Sequence, residues 1–156
     1  MANDLHFIAD AMLGRLARWL RLLGFDTLYY PDISDRDLLR LAIQEDRFIL
    51  TRDTHFPKVK NLERLFIVHS DNPMEQVIEV IISFHIKEFR PNRCARCNGI
   101  LDNVDKKDIT DQVPEYVFHN CNSFLKCRDC GNVYWEGTHL KGFRKMLETI
   151  KSASGK

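Results

Sequence analysis

The sequence predicts an α/β fold: a parallel sheet flanked by helices, followed by a small cysteine-bearing module. Three observations carry this. Strand-like and helix-like segments alternate four times in the first ninety residues, the pattern of a parallel sheet with helices packed on it. The chain has 156 residues and 44% hydrophobic content, enough for a real core and too apolar for intrinsic disorder. Four of the five cysteines fall in two CxxC pairs beyond residue 90.

The elements follow in order. His6-Phe7-Ile8-Ala9 reads as a short buried strand ending at Asp10. A helix is expected over Met12 to Leu23, with Leu13, Leu16, Ala17, Leu20 and Leu23 on one face and Gly24 as C-cap. Thr27-Leu28-Tyr29-Tyr30 is β-rich and stops at Pro31. Ser34 then caps a helix from Asp35 to about Asp46, whose core face is Leu38, Leu39, Leu41 and Ala42. Phe48-Ile49-Leu50-Thr51 is a third strand, running into Arg52-Asp53, and Leu65-Phe66-Ile67-Val68 is a fourth. Asn72, Pro73 and Glu75 supply an N-cap, a proline at N1 and an acid at N3 for a helix to about Ile86.

Composition shifts at Lys87–Arg93, so residues 1–90 read as one domain and 91–156 as another, with a last helix near Leu140 to Ile150. The formal charge is only +1, split as −2 over residues 1–90 and +3 beyond. Net charge therefore decides little about nucleic acid, and local arginine placement must carry that question. No apolar run approaches the ~20 residues of a membrane span. No basic region precedes an apolar core at the N-terminus, so the expected location is the cytoplasm, with reduced cysteines.

Cys94-Ala95-Arg96-Cys97 and Cys127-Arg128-Asp129-Cys130, each followed by a nearby glycine, read as two zinc knuckles. Four thiolates close a tetrahedral site with no open position, the structural kind. The 29 residues between the pairs fit a β-ribbon with a long hairpin. Cys121 is left over and reads as a partly buried thiol; His119 and His139 are weaker candidate ligands.

Asp10 and Asp53 each follow an apolar strand. Ligands of parallel sheets bind at the carboxyl ends of the strands, so these two acids should converge. Asp35, Asp37 and Asp71 lie near the same edge. Grouped carboxylates point to a hard divalent ion, Mg²⁺ or Mn²⁺, and to phosphoryl chemistry. Simpler readings stand beside this: Asp37 completes a capping box, Asp71 caps a helix, and Asp35 meets a helix dipole. Arg15, Arg18 and Arg21 share a ~120° arc of one helix, either a solvated face or a phosphate-binding one. Arg52 beside Asp53 is a further candidate.

The strings DAMLGRLARWLRLLGFDT, SDRDLLRLA, FILTRD and RCARCNG…LKCRDCGNVYWEGTH resemble the Mut-seven C-terminal RNase domain family, from about Phe7 to His139. The resemblance implies a PIN-like nuclease domain fused to a zinc ribbon, with Asp10, Asp35 and Asp53 as the acidic set and Asp37 and Asp71 as auxiliaries. It implies a metal-dependent endoribonuclease acting on RNA, with structured RNA such as tRNA or rRNA precursors as expected partners. Arg15, Arg18, Arg52 and His139 are the expected RNA contacts. Tyr134 and Trp135 read either as packing between ribbon and nuclease domain or, for Trp135, as a base-stacking surface. Two rivals remain: an inactive RNA- or protein-binding module on the same fold, and a DNA-directed nuclease.

Overall fold

The short apolar runs of the first half become the strands of one parallel sheet. In the computed structural model, residues 5–54, 56, 63–135, 145–146 and 148–152 are described. The chain divides into two compact units, Met1–Pro91 and Asn92–Lys156. The first unit runs β1 (His6–Ala9), α1 (Gly14–Leu22), β2 (Asp26–Tyr29), α2 (Asp35–Gln44), β3 (Phe48–Thr51), β4 (Leu65–Ile67) and α3 (Pro73–Ser83). The strands pair in the order β2-β1-β3-β4, all parallel, with Phe7 opposite Phe48 and Ile8 opposite Ile49.

Alternation along β1 explains the two layers. Ile8 and Ile49 point to one face and meet Leu38 and Ala42 of α2, with Phe56. Phe7 and Phe48 point to the other, where they make edge-on ring contacts with Phe84 at the end of α3. Phe25 and Phe66 extend this aromatic cluster. α1 packs against α3 and buries Leu13, Leu16, Ala17, Leu20 and Leu23, the face that the periodicity picks out.

Local signals set the helix ends. Asn72 accepts from the N–H groups of Met74 and Glu75, and Ser34 accepts from that of Asp37. At the end of α1 the N–H of Gly24 donates to Arg21 and that of Phe25 to Leu20, a Schellman closure. All three helices of the first unit are shorter than periodicity suggests: the turn at Asp10 takes the start of α1, its closure takes Leu23, and α2 and α3 stop before Asp46 and His85, which have positive φ.

Two arginines are buried, and the first departs from expectation. Arg21 lies on the predicted arc with Arg15 and Arg18, yet it is 6% exposed and its Nε donates to the Thr27 carbonyl. Arg47, equally buried, donates to the Phe7 carbonyl at 3.1 Å, to Asp26 Oδ1 at 2.9 Å and to Glu45. It fastens the starts of β1, β2 and β3 together, and each bond meets a charged or carbonyl acceptor, as burial of a guanidinium requires.

The second unit contains an antiparallel sheet, β5 (Leu101–Val104), β6 (Phe124–Cys127) and β7 (Val133–Trp135), in that order. The expected long hairpin is present as the antiparallel β5–β6 pair, and its connection carries a 3-10 turn, Lys106–Ile109, and a short helix, α4 (Glu115–Asn120), which the sequence reading does not foresee. This insert has a physical reason. Ile109, Val117 and Phe118 are apolar and find a small core with Phe124, Val133 and Trp135, which a two-stranded hairpin could not bury. Trp135 packs here, within the ribbon's own core, and Cys121 joins the same cluster. Residues 145–146 and 148–152 are helical, with Met146 and Ile150 buried one turn apart. His139 and the start of the expected last helix lie outside the described residues. Among the described residues, no helix is long and apolar enough to cross a membrane.

Gly24 offers a direct test of the first unit. Its φ is +101°, and a Cβ there would lie 2.0 Å from the Arg90 carbonyl oxygen, whose own N–H donates to Leu23. Gly24→Ala should cost about 3 kcal/mol, combining backbone strain with a collision against main chain. Urea unfolding should show an earlier midpoint at unchanged slope; a midpoint within error of the parent would contradict the contact.

Candidate active site and metal centre

The order β2-β1-β3-β4 sends the chain away from β1 in one direction and later returns it on the other side. Such a reversal leaves a crevice at the carboxyl ends of the two central strands, the usual ligand position in open parallel sheets. Asp10 follows β1 and Asp53 lies two residues past β3. Thr51 joins them: its hydroxyl donates to Asp10 Oδ2 at 2.7 Å and accepts from the Asp53 N–H at 3.0 Å. The Asp10 N–H in turn donates to the Leu50 carbonyl, so both acids are registered to the last turn of the β1–β3 ladder. Thr51 is fully buried. Sequence reading treats it as a strand residue and misses this bridging role; a hydroxyl at the carboxyl end of an apolar strand is the available signal.

Beyond Asp10 the loop is tightly held. Asp10 Oδ1 accepts from the Met12 N–H, the Asp10 carbonyl accepts from Leu13, and the Tyr29 hydroxyl donates to the Ala11 carbonyl. A Cβ at Gly14 would lie 3.0 Å from the Tyr29 ring and hydroxyl, so a larger residue there would press on Tyr29. A cleft of about 340 Å³ lies over this loop, lined by Gly14, Arg15, Tyr29, Arg52, Asp71 and Gln76 among others. Asp71 is carried by a loop that Glu79 fixes by accepting from the His69 and Ser70 N–H groups, while Gln76 donates to the Ser70 carbonyl. Among the described residues, Arg15, Arg18 and Arg52 make no ion pair, and Arg52 Nε is buried without an acceptor. α1 begins beside Arg15 without a side-chain cap and without an acid in its own first turn.

The remaining acids sit differently. Asp35 and Asp37 are exposed in the first turn of α2. The Asp37 N–H is capped by Ser34 and its carboxylate pairs with Arg40 at 3.3 Å, the capping arrangement. Among the described residues, no three carboxylates or histidines bring their ligand atoms within 4.8 Å of one another; the four knuckle cysteines do.

Those cysteines are positioned to bind a metal ion. Cys94 Sγ and Cys130 Sγ are 3.6 Å apart, and Cys97 Sγ and Cys127 Sγ are 3.3 Å apart. A tetrahedron of Zn–S bonds near 2.3 Å has edges of about 3.8 Å, so the set fits zinc. His119 is exposed and faces Glu115 instead. Main-chain donors serve the sulfurs: Gly99 N–H toward Cys97, Asp129 and Cys130 N–H toward Cys127. At Cys127, burial raises the pKa but is outweighed by these donors, leaving it at about 7. At Cys97, burial dominates and, against the Gly99 N–H, pushes the thiol up to about 12. The knuckle turns close by two routes. Gly131 has φ +77°, whereas after Cys97 the left-handed residue is Asn98, at φ +71°. Gly99 is needed for closeness instead: a Cβ there would lie 2.8 Å from Cys127 Sγ. Tyr134 reaches the first knuckle, its oxygen 3.1 Å from Cys94 Sγ and accepting from the Ala95 N–H. Burial, with the Cys94 sulfur beside it, raises this phenol to about 12, against the Asn132 amide.

The fold and these two centres define a parallel α/β domain with a carboxylate-bearing crevice, joined to a four-cysteine metal ribbon. The sequence model described as the Mut7-C RNAse domain matches residues 5–147, and the chain belongs to that family. No curated protein and no solved structure matches it.

Thr51→Val tests the bridge between the acids. Valine keeps the volume and removes the hydroxyl that donates to Asp10 Oδ2 and accepts from the Asp53 N–H, at a cost of about 1–3 kcal/mol. Thermal melting of variant and parent measures it, and equal melting temperatures would sever the bridge from stability. For the ribbon, Cys94→Ser should lose metal and destabilise the second unit, since structural metal binding is part of folding free energy.

Proposed function

We propose that the chain is a metal-dependent endoribonuclease that hydrolyses RNA phosphodiesters at the β1–β3 crevice, with zinc as the structural ion of the ribbon. The family supports a nuclease-like role on RNA. The observation that carries the local reading is the Thr51 bridge, which sets Asp10 and Asp53 on one strand edge next to a cleft bearing Arg15 and Arg52.

Asp10, Asp53 and Asp35 are the acids that would hold Mg²⁺ or Mn²⁺. Such an ion, when bound, supplies positive charge at the phosphate and acidifies water for in-line attack. The chain's own part is positioning. Thr51 fixes Asp10 in one rotamer. Arg15, Arg18, Arg52 and the start of α1, which has no side-chain cap, favour phosphate oxygens, because among the described residues these arginines make no ion pair. Asp71 faces the same cleft and Asp37 stays with its cap as an auxiliary at most. His139 and the ribbon assist RNA binding, and structured RNA such as tRNA or rRNA precursors in the cytoplasm is the proposed substrate.

A second reading, an RNA-binding module that does not cleave, is favoured by one observation. Both Asp10 oxygens are already hydrogen-bonded within the fold, and among the described residues no three carboxylates gather at coordinating distance. Incubating single-stranded RNA, duplex RNA and DNA with and without Mn²⁺ separates cleavage from binding and RNA from DNA.

Asp53→Asn and Asp10→Asn should each lower Mn²⁺-dependent cleavage by orders of magnitude, with RNA binding retained. The double variant should be little worse than either, since groups serving one site act as a unit. Full activity in folded Asp53→Asn would refute the site. Replacing Arg15 and Arg52 together with alanine should weaken RNA binding and reduce the slope of log affinity against log salt by about 2, roughly one per phosphate contact. An unchanged slope would make them solvated side chains only.

A further inference from the structure

The ribbon pairs a phenol with a metal-ligand sulfur. Tyr134 lies in β7 opposite Leu125 of β6 and packs with Leu101 against Cys94 and Cys127. Its ring is therefore held by apolar neighbours, while its oxygen reaches Cys94 Sγ at 3.1 Å and the Ala95 N–H at 3.0 Å. A hydroxyl has one proton to give and two lone pairs. The Ala95 N–H uses a lone pair. A metal-bound thiolate carries no proton, so the phenol's proton goes to sulfur.

The four ligands are unequal. Cys94 and Cys127 are buried, and Cys97 and Cys130 are exposed. Cys127 takes main-chain N–H donors from Asp129 and Cys130. Cys94 takes a side-chain donor from a distant strand, forty residues along the chain.

We propose that Tyr134 is a positioning residue of the metal centre: its hydroxyl donates to Cys94 Sγ while accepting from Ala95, locking the first knuckle against β7 and withdrawing charge from one thiolate. This rests on the zinc reading of the four cysteines. Groups that orient a ligand in this way typically govern affinity by 10–100-fold. The metal is then held by a retained pair, Cys94 and Cys127, and competed for from the exposed pair.

The test uses the full chain and Tyr134→Phe, which keeps the ring and its packing and deletes only the donor. Elemental analysis first establishes the metal content of both. Transfer of zinc to a chromogenic chelator should be about 10-fold faster from the variant. After loading with Co²⁺, the sulfur-to-cobalt charge-transfer bands should move to lower energy, because Cys94 has lost its proton donor. A purely packing role leaves both readouts unmoved, so equal rates and identical bands in a metal-loaded pair overturn the proposal and spare the zinc reading. A parent chain that carries no metal overturns both. If the variant does not load, the parent decides: with ¹¹³Cd bound, a slowly exchanging Tyr134 hydroxyl proton coupled to the cadmium supports the bond, and its absence overturns it.

Discussion

Parallel pairing of β1 with β3 places almost everything else in the first unit. A parallel neighbour cannot be reached by a tight turn, so β1 and β2 must each be followed by a crossover, and these crossovers are α1 and α2. Because β2 and β3 flank β1 on opposite sides, the two helices cover opposite faces, which buries Ile8 on one and Phe7 on the other. The same arrangement puts the first residues after β1 and β3 side by side. Thr51 converts that adjacency into a fixed relation between Asp10 and Asp53. The crevice is a consequence of strand order before it is a property of any side chain.

The two ends of this sheet are treated differently. At the amino ends, Arg47 is buried and answered by Asp26, Glu45 and the Phe7 carbonyl. At the carboxyl ends, Arg15 and Arg52 border a cleft and are answered by no ion pair among the described residues. Compensation at one end serves cohesion. Its absence at the other leaves field available for a ligand, where low-dielectric walls strengthen it.

Much of this was legible in the sequence, and the reason is periodicity. Strands and helices of the first half announce themselves by spacing, and α2 and α3 carry caps at their starts while α1 carries one at its end, so Ser34, Asn72 and Gly24 could be read locally. The CxxC pairs are legible because one ion demands four sulfurs at close range. What spacing does not encode is pairing across the chain. Arg21 looks like a member of a solvated arc, since nothing local reveals that Thr27 offers it a carbonyl. Arg47 and Thr51 act through partners 40 and 41 residues away. The helical insert of the ribbon was missed because its apolar residues, Ile109, Val117 and Phe118, are too sparse for a period and only make sense around Phe124 and Val133. Asp35 shows the converse: sequence places it correctly at a helix start on the right edge, but edge membership is weaker than convergence.

The closeness of the four sulfurs has a further meaning in polymer terms. An ion held by both knuckles ties residue 94 to residue 130 and closes the intervening chain into a ring. Closing a loop of that size removes several kcal/mol of freedom from the unfolded chain, roughly what a disulfide of equal span would. Among the described residues, this unit sets against that freedom small apolar clusters around Ile109 and around Cys94, with Met146 and Ile150 also buried. The crosslink, unlike a disulfide, needs no oxidant and is undone by competition for the ion. With the proposed zinc as that crosslink, supply of the metal during synthesis would govern when the second unit folds.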